Sequence, residues 1–207
     1  MKNKKRIMIL ALSMIAVFAA AITFAYFTDQ SDEVKNTFTM GNVQILLDEA
    51  PVVATAGTSG TTWAANNEVP RVLSNTYTGI YPGAILPKDP TVKNTGSNPA
   101  YVRVKVTVEN FSSNVDPSTL WAPIGAGWVL DAAKSSGNVF YYNYTGILQS
   151  DASTSAVFTK VVIPTSFTSA NMSAIGNFNI KLEAHAIQAQ GFANVTDAFA
   201  AYVAPTP

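Results

Sequence analysis

Tyr101-Val102-Arg103-Val104-Lys105-Val106-Thr107-Val108 alternates valine with Tyr, Arg, Lys and Thr over eight residues. Successive side chains of a strand point to opposite faces. The period of two therefore predicts a half-buried antiparallel strand, with Val102, Val104, Val106 and Val108 facing the core and their neighbours facing water. Phe178 to Ala186 repeats the pattern, placing Phe178, Ile180, Leu182, Ala184 and Ala186 on one side.

Shorter β-rich runs lie around these two. Asn42 to Leu47, Gly127 to Leu130, Val139 to Tyr144 and Ala156 to Ile163 are rich in Val, Ile, Tyr and Phe and are separated by Gly, Ser, Asn and Pro clusters. The stretch from Ala50 to Asn67, dominated by Ala, Thr and Gly, reads as a long loop or insertion. The clearest helical pattern after residue 25 is Thr196 to Tyr202, with Thr196 as its expected cap. Many short strands with turn signals predict an all-β fold, an antiparallel β-sandwich or jelly roll.

The chain holds no cysteine, so the fold rests on its core, and thiolate metal sites, disulfides and a Cys nucleophile are excluded. At its front, Lys2, Lys4, Lys5 and Arg6 directly precede the apolar stretch Ile7 to Phe24, and small Thr23 and Ala25 flank Phe24. A cationic n-region, an apolar h-region and a small-residue exit predict a secretory signal peptide over residues 1–25, cut between Ala25 and Tyr26 or one bond later. An uncleaved membrane anchor is the alternative, because the apolar stretch has about the length of a short spanning helix. The membrane is expected as a partner only through this segment.

Loss of residues 1–25 removes four of the 13 Lys and Arg and none of the 13 Asp and Glu, leaving a mildly acidic body. It has no basic footprint for nucleic acid, which is not expected as a partner.

Chemistry-bearing patterns are few. His185 is the single histidine and no His-Glu-x-x-His helix occurs, whereas a catalytic zinc takes three protein ligands. On its strand His185 has the polar parity of Lys181 and Glu183, which predicts a solvent-facing ring. Asp32-Glu33 and Asp48-Glu49 are adjacent carboxylates that an extended chain points to opposite faces. No cofactor is expected; calcium held by loop Asp, Asn and carbonyl oxygens stays open. No Gly-x-Ser-x-Gly elbow, phosphate loop or dinucleotide fingerprint is present, so a catalytic site is not expected. Trp63, Trp121, Trp128, Tyr141, Tyr142 and Tyr144 would suit either a sugar-binding platform or a core. Asn-x-Ser/Thr triplets at Asn110, Asn143, Asn171 and Asn194 are read as chance. Ala204 to Pro207 carries no LPxTG-like signal, so sortase coupling is not expected.

Three blocks together resemble the TasA/camelysin family. The first is Phe24-Ala25-Tyr26-Phe27-Thr28-Asp29 with Asn36-Thr37-Phe38-Thr39-Met40-Gly41-Asn42-Val43. The second runs from Tyr81-Pro82-Gly83 to Lys93-Asn94-Thr95-Gly96-Ser97-Asn98 and the strand after it, and the third is Ala184 to Phe192. The resemblance implies cleavage by a SipW-type signal peptidase and a jelly-roll domain over 41–207. It further implies a secreted structural subunit of extracellular biofilm-matrix or surface fibres of Gram-positive-type bacteria, polymerised head to tail with itself, with a minor subunit that nucleates the fibre. In such fibres the freed N-terminal segment of one subunit completes the sheet of the next.

The donor segment would be 26–40, with Tyr26, Val34, Phe38 and Met40 on one parity and Phe27 beside Tyr26. Gln30 and Asp32 share that parity, so insertion by Val34 to Met40 alone, or by the first few residues alone, stays open, as does a first strand of the chain's own domain. A secreted carbohydrate-binding or camelysin-like protease module is the alternative function.

Overall fold

A computed structural model describes residues 3–5, 41–111, 116–121 and 123–203. The chain divides into two units, Met1–Thr39 and Met40–Pro207. Of the first only residues 3–5, which are helical, are described. The expected cleavage bond Ala25–Tyr26 and the donor positions Tyr26, Phe27, Val34, Phe38 and Met40 lie outside the described residues, as do Asp32 and Glu33.

The second unit is built from antiparallel strands with few, short helices. The valine-alternating stretch is the central strand β6 (Ala100–Glu109), and β10 (Asn179–Gln188) pairs with it over its whole length, Ile180 opposite Val108 and Ala186 opposite Val102. On the other side β8 (Val139–Tyr144) pairs with β6 and then with β7 (Trp128–Leu130), so the sheet order is β10-β6-β8-β7. Three two-stranded ladders accompany it: β1 (Ile45–Asp48) with β5 (Thr91–Asn94), β2 (Val52–Gly57) with β3 (Gly60–Ala65), and β4 (Ile85–Pro87) with β9 (Lys160–Val162). Besides one 3-10 turn at Pro117–Leu120, the described helices here are α1 (Ser169–Ile175) and α2 (Val195–Ala200).

Alternation decides where the core sits. Val102, Val104 and Val106 are fully buried and Val108 nearly so, packed with Phe140, Tyr142, Trp121 and Phe158 and with Leu86 of β4, Val92 of β5 and Val161 of β9. The side chains opposite them do not all face water. Tyr101 and Arg103 are buried near α2: Tyr101 belongs to a second small cluster with Ala189, Val195, Ala198 and Phe199, and the Arg103 guanidinium lies over the Phe199 ring. A ten-residue strand leaves a long outer face, and a short amphipathic helix covers one end of it. The helix starts earlier than Thr196: Asn194 is the cap, its Oδ1 accepting the Asp197 N–H at 3.0 Å.

The region 50–67 is a hairpin, not a loop. Residues 57 and 60 are paired around the two-residue tip Thr58-Ser59, and Gly60 takes φ 121° at a place where a Cβ would come within 2.8 Å of the Tyr81 ring. Ala and Thr hid the alternation, because on one face only Trp63 is large; that ring is buried against Tyr77 and Tyr81. Two further boundaries moved: the first strand starts at Ile45, and of 156–163 only Lys160–Val162 forms a named strand.

Turn chemistry positions the remaining pieces. Pro82 and Gly83, with Gly83 at φ 88°, make a turn closed by the Ala84 N–H donating to the Tyr81 carbonyl at 3.0 Å. Asn94 is fully buried and organises the next turn: its Nδ2 donates to the carbonyls of Asn98 (2.8 Å) and Leu148 (3.1 Å), and its Oδ1 accepts from Gly96 N–H (3.0 Å).

Candidate functional site

The two long paired strands differ in how well their inward faces are covered. Val102 to Val108 of β6 are sealed, yet Ile180, Leu182, Ala184 and Ala186, directly beside them on the same face of the same sheet, are only half-buried. Among the described residues no strand pairs with the other edge of β10. Among the described residues that edge presents N–H and C=O groups that no strand pairs, above incompletely covered apolar side chains.

A groove of about 940 Å³ opens along this edge. Ile180 and Leu182 of β10, Leu47 of β1, Leu86 of β4 and Val161 of β9 supply its apolar lining, and the 73–80 segment forms a wall. A smaller groove of about 440 Å³ adjoins it at Tyr77 to Ile80 and Phe178, reaching Phe111 and Phe167. Leu73, on the wall, is 80 % exposed. Large apolar groups left open beside an unpaired edge are the features that receive an added strand.

Charged groups tie the rim together. Arg71 Nε meets Asp48 Oδ1 at 2.6 Å and its Nη1 meets Asp89 Oδ2 at 3.0 Å, while both carbonyls accept from its Nη2. Burial pulls the Arg71 pKa down, but the hydrogen bonds and charges of the two aspartates outweigh it and hold the group above its ordinary value. Lys88 Nζ pairs with the buried Glu49 at 2.6 Å. Tyr77 donates its hydroxyl to the Pro87 carbonyl; burial, with Glu49 and Asp89 nearby, pushes its pKa far up, so it stays a donor. The adjacent carboxylates Asp48 and Glu49 are thus structural ion-pair members, Asp48 with Arg71 and Glu49 with Lys88. Among the described residues no group of three or more His, Cys, Asp or Glu converges as a metal site.

The other sequence candidates fall elsewhere. Trp63, Trp121 and Trp128 are all buried, Trp121 Nε1 donating to Tyr142 Oη at 2.9 Å and Trp128 Nε1 to the Ser155 carbonyl at 2.9 Å. They make a core and no exposed platform. Asn143 is buried, and Asn171 and Asn194 bond within helix starts.

His185 is half-buried where a solvent-facing ring was expected. It stacks on Tyr202 at 5.2 Å between ring centres, with Nδ1 3.4 Å from Arg103 Nη2. Burial, then the Arg103 charge, lowers its pKa, so the ring is held neutral.

The 73–80 wall is not legible in the sequence, because the stretch from Arg71 to Thr78 has neither a helical nor a strand period. Its one legible sign was Arg71, the single cation between Asn67 and Pro87.

The sequence matches no protein-family profile, and comparison with curated proteins and with solved structures returns no match.

Proposed function

We propose that this chain is a secreted structural subunit, a jelly-roll β-sandwich that polymerises head to tail into extracellular fibres. Export follows from the cationic, apolar and small-residue pattern of residues 1–25. Cleavage near Ala25 frees residues 26–40, and this segment of one subunit adds to the β10 edge of the next. The ladders β1–β5 and β4–β9 form the second layer of the sandwich, over the inward face of the four-stranded sheet.

The observation that carries this reading is the difference between β6 and β10: neighbouring strands share one face, and only the edge strand is left half-covered, beside a groove lined by Leu47, Leu86 and Leu182. An extended segment with Val34, Phe38 and Met40 on one parity supplies apolar side chains to such a groove while its backbone satisfies the edge. A contact of this kind leaves a fresh edge after each addition and grows a filament.

Deleting residues 26–33 and, separately, 34–40 from the secreted chain tests the reading. Electron microscopy is expected to show filaments from the intact chain and monomers from at least one deletion; undiminished filaments from both would refute donor exchange.

A further inference from the structure

We propose that the β2–β3 hairpin is a second self-association surface, through which two copies of this chain pair β2 against β2 about a two-fold axis. This contact is isologous and does not use residues 26–40, so it is separate from head-to-tail growth.

The argument starts from which backbone groups are free. The Asn66 N–H donates to the Pro51 carbonyl, so odd positions of β2 face β3. The Val52 N–H points the other way and donates to Asn75 Oδ1 at 2.9 Å. In an antiparallel pair both backbone groups of a residue point to the same side, and the side alternates. Ala54 and Ala56 therefore present their N–H and C=O outward, and among the described residues no strand pairs with them. From Val53 to Gly57 every residue is exposed, Val53 by 51 %.

Edge strands are ordinarily guarded by Lys, Pro, bulges or covering elements. Among the described residues this one has no guard beyond Pro51 at its base. Ala50 to Asn67 contains no Asp, Glu, Lys or Arg, in a chain where such residues make up 13 %. The β10 edge, by contrast, carries Lys181 and Glu183. An uncharged strand opposes no like charges when it meets itself, and Ala54 and Ala56 offer matching outward donors and acceptors to the same strand of a second copy, which is the occupant this surface fits.

The Asn75 bond selects the register. Pairing centred on Ala54 would set Val52 opposite Ala56 of the other copy and compete for the Val52 N–H. Pairing centred on Thr55 sets Ala54 opposite Ala56, uses only free groups, and leaves the Asn75 bond intact. It also places Val53 over Gly57 and Thr55 against Thr55, a cross-strand pair that stabilises sheets. The Thr55 pair is of the non-hydrogen-bonded kind, with Cα atoms about 4.5 Å apart, inside the range a disulfide spans.

The chain has no native cysteine, so Thr55→Cys in the full secreted chain provides a clean reporter. Under mild oxidant, disulfide dimers of Thr55→Cys are expected about tenfold faster than those of Ala133→Cys, which is exposed in a turn. Adding Ala54→Pro removes one outward N–H without touching the β2–β3 ladder and is expected to return the rate to that of Ala133→Cys. Far-ultraviolet circular dichroism checks that this variant is folded; if it is not, Ala54→Lys, which sets charge beside the contact, replaces it. The same cross-linking should persist when residues 26–33 are deleted. Equal rates for Thr55→Cys and Ala133→Cys, cross-linking unaffected by both Ala54 variants, or its loss on that deletion would each overturn the proposal.

Discussion

The Arg103 guanidinium lies 4.3 Å over the Phe199 ring, and this contact ties the C-terminal helix to the central strand of the sheet. Tyr141 and Tyr202 flank the same cation at 5.0 and 5.4 Å, and no carboxylate hydrogen-bonds to it among the described residues. Burial lowers the Arg103 pKa, and its Nε has no partner. Phe199→Ala is expected to destabilise the protein by about 3 kcal/mol, since it empties the centre of a small cluster. Arg103→Met keeps the stem and removes an incompletely satisfied buried charge, so its cost is expected to stay below about 1 kcal/mol. Urea denaturation of both variants checks the order; an Arg103→Met cost equal to that of Phe199→Ala would show the charge itself to be the fastening.

His185, between Arg103 and Tyr202, gives this attachment a pH dependence. Its folded pKa is lowered, so below the ordinary value of about 6.5 the unfolded chain binds a proton that the folded chain does not. Stability is therefore full above that range and falls with acidification until the folded pKa is passed. Arg103, Lys105 and, most weakly, Lys134 oppose the imidazolium, and Glu183 favours it. Glu183 is held below the ordinary carboxylate range, first by its hydrogen bond from Lys105, so its own loss begins only at lower pH. His185→Gln is expected to flatten the melting-temperature profile just below about pH 6.5, leaving the limb set by the carboxylates unchanged.

How much of this was legible in the sequence follows from side-chain size. Strands β6, β8 and β10 announce themselves because Val, Phe, Tyr, Ile and Leu alternate with polar groups, and the inward set at 102, 104, 106 and 108 is the one buried. The β2–β3 hairpin is built mostly from Ala, Thr and Gly, whose hydropathy contrast is too small for its two faces to be read. Tertiary contacts were out of reach for the same reason that Arg103 was misjudged. Parity predicts a face, and only packing tells whether a helix later covers it. The groove combines residues from 47 to 182, a juxtaposition no local pattern encodes.

Asn94 and Gly96 should be among the least replaceable residues. Asn94→Leu leaves the Gly96 N–H and the Asn98 and Leu148 carbonyls without their side-chain partner in a buried turn, for an expected loss of about 3 kcal/mol. Gly96→Ala would bring a Cβ to 2.6 Å from both the Asn42 carbonyl oxygen and the Gln44 nitrogen. Both are backbone atoms, so the approach to β1 must shift. Thermal denaturation should show both variants well below the parent, with Ser97→Ala, which loses only exposed bonds to Asn42, close to it.

Leu182 and Val106 face each other across the β10–β6 ladder, and their different burial separates assembly from folding. Val106 is fully enclosed, so Val106→Asp buries an unpaired carboxylate and is expected to prevent folding. Leu182 is half-open to the groove, where a charged side chain keeps its head in water. Leu182→Lys should therefore cost the subunit only about 1 kcal/mol. If an added strand covers this position in the fibre, the same lysine must be desolvated there without a partner, which costs far more than the free subunit loses. The expected outcome is a folded monomer by circular dichroism and an absence of filaments by electron microscopy. Leu130→Lys, on the β7 edge away from the groove, serves as the control and should assemble normally. Filaments of normal length and number from Leu182→Lys would place the subunit contact somewhere other than the β10 groove.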